Sequence, residues 1–330
     1  MKKMAHTVFS IRFFLLLLVV IVLIAGVPFH GVAAGASPYF SERSSFSVLI
    51  NGLEFPYRTC SVFLLPGEEV SVQVPPDKSD RTYTTTASQN LIQTQSTRSW
   101  RVKAPQDPGI STVLISEDGT GEKLKINVFV LVPFEKIKNG QLNGYPIGEY
   151  PLKPFLGLKI YEPPRGFVEV TRENEDTFIF PHFQLKQFLC KQESGYPKYL
   201  VVREKLLLKL ELLLEKVNEN GIAADSIFVM SGYRTPAYNR AIGNVMYSRH
   251  LWGGAADIYI DQQPKDGYMD DLNKDGVINY KDAKVLYDTV NQLYGKKFYV
   301  PFIGGLGLYM KTKNHGPYIH VDVRGTQARW

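Results

Sequence analysis

The sequence predicts two unlike parts in series, an all-β sandwich followed by an α+β domain. Two observations predict it. From about Ser44 to Pro133 apolar residues alternate with period two between frequent turn signals, with no helical periodicity. Beyond about Phe178 the pattern changes to one leucine-rich helical stretch mixed with short strand-like runs. The chain has 330 residues, enough for two domains with real cores.

At the start, Lys2, Lys3 and Arg12 precede an apolar run from Phe13 to Val27, then Pro28 and the small residues Ala33, Ala34, Gly35 and Ala36. A basic start, an apolar middle and a small-residue cleavage site describe a secretory signal over residues 1–36. The run of 15 residues is shorter than the ~20 that cross a bilayer. Left uncleaved, this segment would be a membrane anchor and the chain's one contact with a membrane. Either way the expected location is outside the cytoplasm: periplasmic, wall-associated or secreted. The formal charge is +6, of which those three basic residues carry half, leaving about +3. So small a balance excludes nucleic acid as an expected partner. Cys60 and Cys190 are the two thiols, and an oxidising compartment permits a disulfide between them without requiring it.

Residues 37–137 form the expected immunoglobulin-like sandwich. Val70–Val74, Trp100–Val102 and Leu124–Val130 read as strands, separated by Pro66-Gly67, Pro75-Pro76, Asp107-Pro108-Gly109 and Asp118-Gly119. Trp100 is a core candidate. Residues 138–177, rich in Gly, Pro and Tyr, read as an extended linker packed on the surface.

The second domain spans 178–330. A helix is expected from Tyr199 to Asn220, where Leu206, Leu207, Leu208, Leu210, Leu212, Leu213, Leu214 and Val217 make a wide apolar surface before Gly221. Ser226–Met230 reads as a strand leading into Ser231-Gly232-Tyr233-Arg234-Thr235-Pro236. Then comes Ser248-Arg249-His250-Leu251-Trp252-Gly253-Gly254-Ala255-Ala256-Asp257, with small residues between an imidazole and a carboxylate. Strands are expected at Ile258–Ile260 and at His320-Val321-Asp322. His250, Asp257 and His320 offer two nitrogens and an oxygen, a three-ligand zinc set with the fourth position open. His182, beside Pro181 and Phe183, reads as structural.

Ser248-x-His250-x-x-Gly253-x-Ala255-x-Asp257 fills the signature of the zinc D-alanyl-D-alanine peptidases, which it resembles. Ser231-Gly232-Tyr233-Arg234-Thr235-Pro236 is similar to the family's S-G-Y-R-[ST]-P segment. Gly304-Gly305-Leu306-Gly307 leading to His320-Val321-Asp322-Val323-Arg324 is similar to its closing strand pair. The resemblance covers roughly the last 150 residues. It implies a hedgehog/DD-peptidase-like domain, an antiparallel sheet with flanking helices, holding zinc through His250, Asp257 and His320. It also implies that Arg234 contacts the substrate or holds a carboxylate, with Ser231, Tyr233 and Ser248 on the substrate side. Many relatives carry E-x-x-H or H-x-H before the last ligand, and here those positions are Pro317 and Tyr318. The general base is therefore open between His315, in the preceding turn, and Asp322, which would otherwise orient an imidazole.

One stretch falls outside that pattern. Asp271 to Asp282, inside an insertion at 262–295, fits a twelve-residue calcium loop: Asp271, Asn273, Asp275, the Val277 carbonyl, Asn279 and Asp282 are the oxygen ligands, and Gly276 makes the turn. It is similar to dockerin loops, with Asp rather than Glu at position 12. An exiting helix is expected over Tyr280–Leu293, and a structural calcium would order the excursion.

The expected function is an exported zinc peptidase cutting D-amino-acid-containing peptides of peptidoglycan, as a carboxypeptidase or a cross-link endopeptidase. One alternative is a catalytically inactive, metal-containing wall-binding protein, motivated by Pro317 and Tyr318. Another is a calcium-dependent scaffold.

Overall fold

The computed structural model describes residues 41–77, 80–88 and 91–330. The expected signal segment lies outside them, and among them no helix is long and apolar enough to cross a membrane.

Nine strands build the first part: β1 (Arg43–Ile50), β2 (Leu53–Tyr57), β3 (Thr59–Leu64), β4 (Glu69–Gln73), β5 (Tyr83–Ala87), β6 (Ile92–Ser96), β7 (Ser99–Lys103), β8 (Gly109–Glu117) and β9 (Lys123–Val130). They form a five-stranded sheet, β2-β1-β4-β7-β6, and a four-stranded sheet, β3-β9-β8-β5. Every pairing is antiparallel except β3 with β9. The alternation seen in the sequence is the alternation of burial: Val70, Val72, Trp100 and Val102 point inward while Ser71 and Arg101 point out. Cys60 and Cys190 are both buried and unpaired, so the permitted disulfide is not formed.

Residues 138–177, expected as a surface linker, are built into the protein. Val132–Pro133 pairs with β10 (Gly166–Val170), which pairs in turn with β11 (Lys198–Leu200). Leu142, Tyr145, Ile147, Tyr150 and Phe167 are buried in a core continuous with the sandwich. The Gly and Pro content that reads as linker serves tight turns between these anchors. The two parts also meet directly. Ser61 Oγ donates to the Ile179 carbonyl at 2.6 Å, Asn127 Nδ2 to the Phe178 carbonyl at 2.9 Å, and Arg43 pairs with Glu215.

The long helix, α1 (Glu204–Glu219), starts five residues later than the expected Tyr199. Tyr199 and Leu200 are taken by the ladder with Glu169 and Val168, and Arg203 is still extended. The helix buries all its leucines but the half-buried Leu212, and also Lys209 and Glu211. Both have partners: Lys209 Nζ donates to the carbonyls of Asp322 (2.8 Å) and Phe302 (3.2 Å), and Glu211 holds His182 Nδ1 at 2.8 Å. His182 is structural, as read.

Behind α1 come β12 (Phe228–Ser231), the short α2 (Pro236–Ala241), β13 (Ala255–Tyr259), α3 (Tyr280–Leu293), β14 (Gly305–Tyr309), β15 (Tyr318–Asp322) and β16 (Ala328–Arg329). The five strands make one sheet in the order β12-β13-β15-β14-β16, antiparallel except for β14 with β16. The helix α3 spans the residues expected of it. Asn279 and Asp282 form a capping box at its start, so the first turn's free N–H groups are satisfied locally.

Candidate metal centre

Strand register assembles the site. Directly paired residues of neighbouring strands point to the same face. Ser231 of β12 pairs with Asp257 of β13, Asp257 with His320 of β15, and His320 with Gly307 of β14. Ser231, Asp257, His320 and Gly307 thus form one row across the sheet. His250 arrives from outside the sheet, on a single 3-10 turn over Arg249–Trp252. That turn ends at Gly253, whose φ of +60° is left-handed and whose backbone presses against the chain before α1. A Cβ there would lie 2.2 Å from the Val201 carbonyl oxygen, so only glycine fits.

His250 Nε2, Asp257 Oδ1 and His320 Nδ1 come together in a small triangle. Its edges are 3.3 Å between the imidazoles, 3.2 Å from His250 to Asp257 and 2.9 Å from His320 to Asp257. A tetrahedral zinc with bonds of about 2.0–2.1 Å spaces its ligand atoms about 3.3 Å apart, so these donors fit the ion in kind and in spacing. All three residues are buried, and among the described residues they are the one such group of His, Cys, Asp or Glu side chains.

Each ligand is held from behind. The Gly232 carbonyl, 2.6 Å from His250 Nδ1, can only accept, so Nδ1 carries the proton and Nε2 keeps its lone pair. Likewise His320 Nε2 faces Asp322 Oδ2 at 3.3 Å, leaving Nδ1 free for the ion. Asp257 Oδ2 takes Arg234 Nη2 at 2.5 Å, and Arg234 Nε donates to Ser231 Oγ at 3.0 Å. Burial keeps His250 below the ordinary imidazole range, in the neutral form that ligates. Burial alone would raise Asp257, but His250 and His320 beside it hold its carboxyl well below the usual range. His320 runs the other way: burial lowers it, and its bonds to Asp257 and Asp322 raise it.

Several expected roles change with this geometry. Asp322 is no base: it is fully buried and its two oxygens accept from the Gly305 and Arg324 backbones, the Arg324 guanidinium and His320. It orients the imidazole instead. Arg234, expected to face the substrate, is instead engaged within the site: its guanidinium holds Asp257 and Ser231. Tyr233 is not on the substrate side. It is buried with its hydroxyl 3.0 Å from that of Tyr150, which also bonds the Leu251 carbonyl. The pair props up the 3-10 turn. Ser248 is buried at the start of that turn, and Ser231 lies under Arg234. His315 stands outside the triangle, its Nδ1 donating to the Gly316 carbonyl at 2.8 Å and its ring set edge-on to Tyr318.

The sequence reading passed over Trp330. Its ring centre lies 5.2 Å from that of His320. The glycines at 305 and 307, readable only as part of a strand motif, were the available signal.

The expected calcium loop closes on itself. Asp271 accepts from the backbones of Asp275 and Gly276, and Asp282 from those of Asn273 and Asn279. Asn279 Nδ2 donates to the Val277 carbonyl, and Lys281 pairs with Asp275. The carboxylates of Asp271, Asp275 and Asp282 do not gather as the zinc ligands do.

Residues 181–276 match the family model described as Peptidase M15, a segment that includes His250 and Asp257. No curated protein matches the chain. Two solved structures resemble parts of it. Domains 4 and 5 of the S-layer protein SbsC are 15% identical with a TM-score of 0.18, over 29% of this chain and 55% of that one. A DUF4784 family protein from Bacteroides caccae is 10% identical with a TM-score of 0.15, over 28% of this chain and 25% of that one. The chain spans only about half of the first and a quarter of the second.

Proposed function

We propose that a chain whose C-terminal part matches the M15 peptidases is an exported zinc peptidase that hydrolyses D-amino-acid-containing peptide bonds of peptidoglycan. The observation that carries this is the triangle of His250, Asp257 and His320, with each ligand's remote atom tied to the fold. Zinc bound there would polarise a scissile carbonyl and acidify a water. The chain's own residues do the rest. Gly232 and Asp322 fix which nitrogen of each imidazole is free, and Arg234 neutralises the half of Asp257 turned from the triangle. His315 is the proposed base: with Nδ1 committed to the Gly316 carbonyl, its Nε2 is the open acceptor, on a half-buried side chain in the turn before β15. The N-terminal segment 1–36 would direct export, to a periplasmic, wall-bound or secreted position.

The sandwich supports an immunoglobulin-like reading. The run β1-β4-β7-β6 has the order of strands A, B, E and D, and β9-β8-β5 that of G, F and C. A wall-binding or spacer role suits such a module. The loop from Asp271 to Asp282 is proposed to take a structural calcium, supported by the spacing of its oxygen-bearing residues along the sequence.

Mass spectrometry of peptidoglycan fragments after digestion with zinc-loaded protein tests the proposal. Fragments differing by a cut at D-Ala are expected from the wild type and not from His250→Ala. A second reading is favoured by Pro317 and Tyr318, which stand where relatives carry Glu or His: a silent protein that binds wall and metal. It expects sacculus binding with no fragment released.

A further inference from the structure

The row Ser231, Asp257, His320 and Gly307 has no side chain at its β14 end. The indole of Trp330 fills that place. It lies along β14 on two glycines: a Cβ at Gly307 would sit 2.5 Å from the indole Nε1, and one at Gly305 2.9 Å from its far edge. Any other residue at either position would displace the ring. The indole N–H donates to the Tyr309 hydroxyl at 2.7 Å, and Tyr309 stacks on Tyr318 at 4.6 Å and 6°. The Arg324 guanidinium, already bonded to Asp322, lies 5.3 Å from the indole centre. The backbone is fixed as well, with Leu308 N–H donating to the Trp330 carbonyl at 2.9 Å. A residue whose ring is so firmly seated beside a candidate ligand is nevertheless 47% exposed.

We propose that Trp330 is a specificity-determining wall beside the metal site, taking the apolar flank of the substrate residue next to the cut bond. This rests on the peptidase reading. A rigid indole suits a peptide carrying a small aliphatic side chain there, because the ring offers flat apolar area and does not move aside for a bulky one. Covering on the order of 50 Å² of apolar surface is worth about tenfold in affinity.

The test uses zinc-loaded full-length protein and its Trp330→Ala and Trp330→Phe variants, with two probes: a disaccharide-pentapeptide ending in D-Ala-D-Ala and a cross-linked dimer. For Trp330→Ala, KM is expected to rise about tenfold with kcat within about twofold, and Trp330→Phe to recover most of the loss. Peptide binding is also followed by tryptophan fluorescence, Trp330's share being the difference between wild type and Trp330→Phe. An unchanged KM in Trp330→Ala, with only the melting temperature lowered, would reduce the indole to packing along β14 and overturn the proposal. If no probe is cut but the peptides still change Trp330 emission, the peptidase reading falls and the wall stands. If neither cleavage nor an emission change occurs, both fall.

Discussion

Replacing Asp322 by Asn probes whether the metal centre depends on a residue that never touches the ion. The carboxylate is fully buried and accepts at both oxygens: Oδ1 from the backbones of Gly305 (2.8 Å) and Arg324 (3.0 Å), Oδ2 from Arg324 Nη2 (2.5 Å) and His320 Nε2 (3.3 Å). An Asn side chain matches the shape but must turn its NH₂ toward donors at one end or the other. Either placement weakens the hold on His320, directly or by releasing Arg324. Changing such an outer partner of a ligating histidine typically costs 10–100-fold in metal affinity. The 3.3 Å contact is long, so the lower end applies, about tenfold or about 1.4 kcal/mol. Loss of the charge-assisted bonds to Arg324 should also lower folding stability by about 1.5–3 kcal/mol. Zinc affinity is measured by competition with a chromophoric chelator, on protein shown to be folded by circular dichroism. His182→Gln is the control, since that imidazole is paired with Glu211 and should leave zinc affinity unchanged. A folded Asn variant that binds zinc within about threefold of wild type would refute the claim that Asp322 sets the ligating nitrogen of His320.

Three further outcomes follow from the same contacts. Burial lowers Lys209 to about 7, below the ordinary lysine value, and Asp322 only partly offsets this. The unfolded chain therefore holds the extra proton between about pH 7 and 10.5, and this residue makes wild-type stability rise over that window; urea unfolding of Lys209→Met at pH 7 and pH 9 should lack the rise. Gly253→Ala would force a Cβ to 2.2 Å from the Val201 carbonyl oxygen in a left-handed conformation, and should cost about 3 kcal/mol by chemical denaturation; a loss under about 1 kcal/mol would mean that the turn bearing His250 yields easily. Adding calcium to chelator-treated protein should raise the melting temperature while bound zinc, counted by atomic emission, stays constant. Identical melting curves would remove calcium from the loop.

The ligands were legible because small residues and alternation are local signals. Four near-side-chainless residues between His250 and Asp257 announce a tight approach, and period two places His320 on a strand face. The helix leaving the Asp271–Asp282 loop was legible from local pattern as well, whereas its capping by Asn279 and Asp282 was not, since both residues read as calcium ligands. Less visible was anything set by pairing across distance. Tyr233 sits in a motif shared with relatives, yet its place is decided by Tyr150, from a stretch read as linker. Asp322 looked like a candidate base until Arg324 and Gly305 took up its lone pairs. Composition misled at 138–177, where Gly and Pro make turns between buried tyrosines and phenylalanines. Trp330 left only the trace of two glycines, because its place depends on β16 lying beside β14.

Register is the quantity on which the whole site depends. A slip of one residue between β13 and β15 would turn His320 to the opposite face and leave Asp257 without its partner on β15. What resists the slip is at the end of β15 rather than in the site. Val323 N–H bonds to the Gly254 carbonyl at 3.0 Å, and Lys209 reaches through the core to the Asp322 carbonyl. Gly304 sits so close that a Cβ there would overlap that same oxygen at 1.8 Å. A buried lysine is an expensive clamp, yet it joins α1 to the strand carrying His320 at a point where an apolar side chain would leave two carbonyls bare. The leucine helix thus contributes to the metal centre without supplying a ligand, by fixing which face of β15 the imidazole occupies.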